Sequence, residues 1–414
     1  MSPRTRSGVQ RNKNWIPDQV GNDRVVYLLM KVALVHDYLK EYGGAERVLK
    51  VLTEMYPDAP IYTAFCDRNS VAGREFAGVK IIESYFAPLI KHWNLYSPLR
   101  FLAPFIWKSF DLSDYDLVIS SASWYITRGF STKGGSASGR RVGPKTRVIC
   151  YCHTPPRYLY GYQTSIEWQR YWPVRVYATI VNHFLRMFDF STAQKVDLFI
   201  ANSKNVAERI KKFYRRDSVV VYPPVGVEEI IKATADLKPK DYYLLVSRIV
   251  GAKGVELAMQ LAKKTKTPVK IVGEKAGLKW LDGSLEKLDN NWVEMTGRVN
   301  DQDLYRYYGE CKAFLALAKE EDFGMTVVEA QAAGRPVIAF RGGGYLETVI
   351  EGKTGVFFDE LTVENLADAV RRLEKTKWNK KEIQENAKRF SKEKFIEGVE
   401  KLVPPRSLLG GTKK

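Results

Sequence analysis

Two α/β domains in tandem, each a doubly wound parallel sheet wrapped by helices, are the fold class this sequence predicts. Three observations predict it. Short apolar, strand-like runs alternate with helical patterns from residue 31 onward. The alternation is interrupted once by an extended Tyr222-Pro223-Pro224 segment and then starts again. The chain has 414 residues, 45% of them hydrophobic, which is more than one core ordinarily organises.

In chain order, residues 1–29 are polar and basic and lack periodicity until Val26. They read either as a disordered arm or as an over-extended start ahead of Met30, and the second is expected. The first series has strand-like runs at 31–36, 116–120, 147–152 and 197–201, with helical patterns at 44–56 and 203–214. Pro224 excludes the helical region for Pro223, so a domain boundary is expected there. The second series has strands at 242–247, 269–272, 292–295, 313–316 and 336–340. Helices are expected near 255–265, 301–310, 325–333, 345–350 and 363–374. The expected domains are therefore 30–224 and 225–403, with a loose tail at 404–414. In such sheets ligands sit at the carboxyl ends of the strands, and two facing sheets make a cleft.

Composition narrows the class. Aromatic residues are plentiful, so global disorder is excluded. The four cysteines, Cys66, Cys150, Cys152 and Cys311, suit a reducing, cytoplasmic compartment better than a disulfide scaffold. Cys150 and Cys152 alternate within an apolar run and read as one buried strand face. No apolar stretch of transmembrane length and no signal-peptide pattern is found. Asp114-Tyr115-Asp116 reads as a turn feeding a strand, and Asp301-Gln302-Asp303 as the cap of a helix, so no metal requirement and no cofactor are expected. Residues 31–225 carry 27 basic and 16 acidic groups, a net +11 within the total of +18. Such a field favours anionic partners.

Four segments of the second half share one ligand chemistry. Arg248, Gly251, Lys253 and Gly254 follow the strand that ends at Ser247. Two cations on a glycine-bearing turn suit a diphosphate, although a solvated loop is the plainer reading of that turn alone. Glu321 stands just before Phe323-Gly324-Met325-Thr326, which open a helix whose free amides form an anion site. Glu329 follows Glu321 by eight positions. Two carboxylates so placed can accept hydrogen bonds from two vicinal diols, such as those of a hexose and a ribose. A helix-dipole role would also explain Glu329. Gly297-Arg298-Val299 and the loop from Arg341 to Glu347, rich in glycine, complete the set; both also read as plain turns. In the first half, Gly43-Gly44 lies between a strand and a helix, and His153 ends a strand.

The order of these motifs, with Glu321-x7-Glu329 inside Glu-Asp-Phe-Gly-Met-Thr-Val-Val-Glu-Ala and then Gly-Arg-Pro-Val-Ile-Ala, resembles retaining glycosyltransferase family 4 with the GT-B fold. The resemblance runs from about Met30 to Val403. It implies that Arg248 and Lys253 bind the donor diphosphate, Glu321 the hydroxyls of the transferred sugar, and Glu329 the ribose. Amides of Gly324, Met325 and Thr326 would assist, and Gly43 and Gly44 would face the donor phosphates across the cleft; read from the residues alone, the backbone at Arg298 and Val299 can meet a base edge. His153 would sit near the sugar. The last segment, around Phe390, Phe395 and Val399, would cross back to the first domain. The implied reaction is metal-independent hexosyl transfer with retention. GDP-mannose is the first expectation for the donor and a UDP-hexose the second.

Partners are read from composition. Residues 84–110 contain no Asp or Glu but hold Tyr85, Phe86, Trp93, Tyr96, Phe101, Phe105 and Trp107. Residues 117–166 also lack acids and hold Arg128, Lys133, Arg140, Arg141, Lys145, Arg147 and Arg157. Aromatic and basic residues together suit a headgroup interface, so a lipid-linked or glycan acceptor and an anionic membrane surface are expected, with Arg157 as an acceptor-phosphate candidate. Core packing is the alternative for the aromatics. Two other readings stand beside this one: a nucleotide-sugar epimerase of the same shape, and a basic membrane- or nucleic-acid-binding protein. No nucleic-acid motif is found.

Overall fold

The structure is a computed structural model and describes residues 30–92, 96–133, 145–164, 171–248, 253–274 and 291–403. The expected arm, the tail, Gly251, Trp93, Arg140 and Arg141 lie outside the described residues.

The first series runs β1 (Val32–His36), α1 (Gly44–Met55), β2 (Ile61–Thr63), α2 (Val71–Glu75), β3 (Ile81–Glu83), α3 (Ala87–His92), α4 (Ala103–Lys108), β4 (Leu117–Ala122), β5 (Arg147–Cys152), α5 (Trp172–Ala193), β6 (Leu198–Ala201), α6 (Lys204–Tyr214) and β7 (Ser218–Val220). The second runs α7 (Val227–Ala233), β8 (Tyr243–Val246), α8 (Val255–Thr265), β9 (Val269–Val272), β10 (Val293–Gly297), α9 (Asp301–Glu310), β11 (Ala313–Ala316), α10 (Met325–Ala332), β12 (Val337–Phe340), α11 (Tyr345–Thr348), β13 (Gly355–Phe358), α12 (Val363–Lys375), α13 (Lys380–Lys388) and α14 (Lys392–Glu400).

All strand pairings are parallel. The first sheet has the order β3-β2-β1-β4-β5-β6-β7 and the second β10-β9-β8-β11-β12-β13. Both orders reverse direction once, at β1/β4 and at β8/β11, and ligands bind outside the strand ends at such a switch point. Central strands are buried on both faces, which explains why β1 and β4 read as continuous apolar runs rather than alternating ones.

Helix ends obey local chemistry. Ser203 caps α6, Asn300 caps α9 and Ser391 caps α14, each accepting from a backbone N–H three residues on. Asp301 and Asp303 therefore lie in the first turn of α9 rather than at its cap. Asp116 pins the edge of β4 by accepting from the Lys31 N–H at 3.0 Å.

The C-terminal segment joins the two halves. Phe390 packs in the core of the second sheet, with Tyr222 and Phe323 at ring-centroid distances of 5.0 and 5.3 Å. Phe395, Val399 and Val403 are instead buried in the core of the first, where Phe395 meets Tyr151 edge-on.

Some of the aromatic and basic residues picked out for a membrane serve the core instead. Trp107 is fully buried and donates its indole N–H to the carbonyl of Tyr125 at 2.6 Å. Tyr96 packs against Tyr38, Phe65 and Trp124. Arg128 is buried in an ion pair with Asp189. Tyr85, Phe101 and Phe105 do reach solvent. Cys66, Cys150, Cys152 and Cys311 are all buried free thiols. No helix of the described residues is long and apolar enough to cross a membrane.

Candidate functional site

Residues that follow β1, β5 and β6 meet residues that follow β8 and β11, so the carboxyl ends of the two sheets face each other. Arg248, just past β8, pairs with Glu41, just past β1, at 2.8 Å. A Cβ on Gly44 would stand 3.1 Å from Met325 Sδ, which puts the Gly43-Gly44 turn against the amino end of α10. Arg47 of α1 pairs with Glu329 of α10. Asp322 receives Arg157 at 2.8 Å and Arg209 at 2.6 Å.

Backbone demands at this junction explain two glycines. Gly254 opens α8 at φ +75°, and a Cβ there would lie 2.4 Å from Leu317 Cβ. Gly324 opens α10 at φ +92°, with the Tyr345 ring 2.9 Å from where a Cβ would sit. A side chain at either position would be both strained and obstructed. The free amides of Met325 and Thr326 start α10, and such amides are an anion-binding feature.

Lys253 donates to Glu321 Oε2 at 2.6 Å. Burial pushes the Glu321 carboxyl up, but Lys253, with Arg157 and Arg248 nearby, outweighs it and holds the group below its ordinary range. Glu321 is therefore an anion at neutral pH. Glu329 is buried and accepts from the Tyr308 hydroxyl at 2.7 Å as well as from Arg47. Arg157 also donates to the Glu320 carbonyl at 2.5 Å, so this acceptor-phosphate candidate is already tied to the 320–322 loop. Arg298 reaches Glu274 at only 4.0 Å, and Val299 packs against the core of the second sheet.

His153 lies at the end of β5 in a buried chain of polar groups. Its Nε2 is 2.8 Å from Ser121 Oγ on β4, which is 3.0 Å from His36 Nδ1 on β1. His36 Nε2 is 3.3 Å from Glu46 Oε1 on α1. Strand register explains the alignment, because His36 pairs directly with Ser121 across β1 and β4. Burial pushes Glu46 up, but hydrogen bonds from His36 and from the Gly43 N–H outweigh it and keep it ionised. An ionised carboxylate only accepts, so His36 carries its proton on Nε2. The Ser121 hydroxyl bridges the two rings, with the donor at each contact set by the ring tautomers. Burial, reinforced by the proximity of His36, pulls the His153 pKa down to about 3, so the ring is neutral.

Sequence reasoning missed His36, Glu46, Ser121, Arg47, Ser203, Asn205 and Arg209. Ser203 donates to the Asp322 carbonyl at 2.6 Å and Asn205 to the Glu321 carbonyl at 3.2 Å, so the glutamate-bearing loop is held from the first sheet. Glu347 accepts from the Lys204 and Asn205 amides at the head of α6, at 2.8 and 3.0 Å. The available signal for these residues was their position at strand ends and in the first turns of the helices that follow.

The comparisons agree with this geometry. The family model described as Glycosyltransferase Family 4 matches residues 42–229, and that described as Glycosyl transferases group 1 matches residues 226–390. An uncharacterized glycosyltransferase of Methanocaldococcus jannaschii is 27% identical over 219 residues, which are 52% of this chain and 61% of that protein. The alignment thus spans less than two thirds of that relative. The alpha-1,3/1,6-mannosyltransferase ALG2 of Dictyostelium discoideum is 25% identical over 293 residues, 60% of this chain and 67% of that one. Among solved structures, Anabaena HepE in complex with UDP-glucose superposes with a TM-score of 0.62 at 19% identity, covering 90% of this chain and 99% of that one. Sucrose-phosphate synthase of Thermosynechococcus elongatus does so with a TM-score of 0.66 at 16% identity, covering 90% and 98%. Taken with the two facing sheets, these matches identify the chain as a member of the GT4-type glycosyltransferases of GT-B fold.

Proposed function

We propose that the protein transfers a hexose, with retention and without a metal ion, from a nucleotide-sugar donor to a glycan or lipid-linked acceptor. The observation that carries this reading is the convergence of Arg248, Lys253, Glu321 and the amino end of α10 where the two sheets face each other. Arg248 and Lys253 would hold the donor diphosphate. Lys253 would exchange its partner Glu321 for a phosphate oxygen, which frees that carboxylate to accept from sugar hydroxyls. Amides of Gly324, Met325 and Thr326 would add to the anion site, and Gly43 and Gly44 would bound it from the first domain. Glu329 would take the ribose, with Arg298 and Val299 near the base. His153, neutral and held by Ser121, would sit beside the transferred sugar.

In this scheme the leaving diphosphate assists the acceptor hydroxyl on the same face. The protein's contribution is positioning and stabilisation of the developing charge. Mannose from GDP-mannose is the first choice, supported by the mannosyltransferase among the relatives; a UDP-hexose is the second, supported by the UDP-glucose complex among the neighbours. The net +11 of residues 31–225 favours an acceptor presented at an anionic membrane surface.

The test is release of nucleoside diphosphate from GDP-mannose and UDP-glucose, with and without acceptor, with the product anomer read by NMR. Acceptor-dependent release with retention, unchanged by a chelator, is expected. Release independent of acceptor would favour an epimerase instead, and an inverted product would contradict the scheme.

A further inference from the structure

Helix α5 departs from the ordinary pattern of a surface helix. Its inward face mixes apolar and polar groups: Leu185 is in the core with Val181 and Phe188 packed beside it, Asn182 donates to the Tyr158 carbonyl at 3.1 Å, and Asp189 is buried against Arg128. Its outward face is apolar. Trp172, Val176, Ile180, Phe184 and Met187, at i, i+4, i+8, i+12 and i+15, form one exposed stripe at helical repeat. Trp172 is 69% exposed and Phe184 64%. The adjoining 98–108 segment, tied to α5 by the Tyr177 hydroxyl bonding to the Pro98 carbonyl, adds exposed Phe101 and Phe105.

An exposed apolar band of this extent marks a docking surface. Charge selects its occupant. Arg175 and Arg186 are exposed on α5, whereas its one carboxylate, Asp189, is buried and already paired. A cationic, acid-free apolar face suits an anionic bilayer surface, with Trp and Phe at headgroup depth. The polar inward contacts at Asn182 and Asp189 hold α5 to the protein, so the helix lies on a membrane rather than crossing it.

We propose that the outward face of α5 is the surface by which this chain docks on anionic lipid. The proposal rests on the reading above that the first domain works at a membrane, and it names the residues that make the contact. None of these side chains takes part in the ion pairs where the sheets face each other, so the face can be altered without removing one of them.

The experiment is co-sedimentation of the full chain with phosphatidylcholine vesicles, with and without phosphatidylglycerol. It compares wild type, a Trp172→Glu/Phe184→Glu double variant and Leu361→Glu, which alters an exposed leucine of the second half. Wild type and Leu361→Glu should bind phosphatidylglycerol vesicles, less as salt rises. The double variant should lose about tenfold or more of its partitioning for each aromatic removed, with its melting temperature and nucleotide-sugar thermal shift retained. If the double variant binds as well as wild type, the α5 assignment is overturned while membrane docking stands. If wild type binds neither vesicle type, both fall. A wild-type dimer by light scattering that the double variant breaks, without vesicle binding, would overturn the proposal in favour of a protein interface.

Discussion

At Lys253 and Glu321 two opposite charges meet at 2.6 Å, where a donor's diphosphate and sugar are proposed to meet them instead. The two side chains should therefore report on different parts of one ligand. Lys253→Ala removes a cation from the diphosphate and leaves Glu321 without its partner, so nucleotide-sugar affinity should fall by about 2 kcal/mol or more. Glu321→Gln should lower turnover far more than nucleotide affinity, because its partner is the sugar. Titration calorimetry and steady-state rates separate the two. A Glu321→Gln enzyme that turns over at the wild-type rate would remove Glu321 from the site. His153 makes a second residue-scale prediction through its pKa of about 3. The unfolded ring titrates near 6.5, so between pH 6.5 and 3 the unfolded state binds the extra proton. The stability associated with a neutral His153 is therefore present above pH 6.5 and lost as pH falls toward 3. Roughly 1 kcal/mol should disappear between pH 7.5 and pH 5.5. His153→Gln should flatten that part of the stability profile measured by urea unfolding. Ser121→Ala, which breaks the link to His36 and Glu46, should lower turnover while leaving nucleotide affinity in place.

Element by element, the site depends on how α8 and α10 begin. Gly254→Ala would push a methyl into Leu317 at a left-handed position, next to Lys253. A loss of about 2 kcal/mol or more is expected by thermal or urea unfolding, together with weaker donor binding. Unchanged stability would mean that the α8 turn relaxes freely and does not fix Lys253. Many helices and strands of the second half were readable from the sequence because each has a buried apolar side and a turn at its end; α8 occupies 255–265 and α9 301–310, as the pattern predicts, whereas α7, β13 and α13 were not anticipated. Helix α5 was not readable in this way. It carries apolar residues on both its solvent face and its buried face, where Asn182 and Asp189 sit beside Leu185, so hydrophobicity does not mark one side. The three-residue strands β2, β3 and β7 are too short to carry a period. In the site, Lys253, Glu321 and Glu329 were legible because they sit in a sequence-local motif. The chain from Glu46 through His36 and Ser121 to His153 was not, since β1, β4 and β5 become neighbours only when the sheet forms.

For the whole molecule, the two sheets are joined by charge pairs across their facing ends and by the returning C-terminal segment. Phe395 and Val399 belong to the core of the first sheet although they follow the last strand of the second. Phe395→Ala should cost about 3–5 kcal/mol, as the loss of a buried aromatic does, and should loosen both halves in one transition. Two separate unfolding transitions in wild type would show that the return segment does not couple them. The central claim is that the facing ends of the two sheets bind a nucleotide sugar through Lys253 and Arg248. Its most direct test is calorimetric titration of GDP-mannose and UDP-glucose into wild type, Lys253→Ala and Arg248→Ala. Wild type should bind one donor saturably, and each variant should lose about tenfold or more in affinity. Equal affinity in all three proteins, or binding of neither donor by wild type, would contradict it.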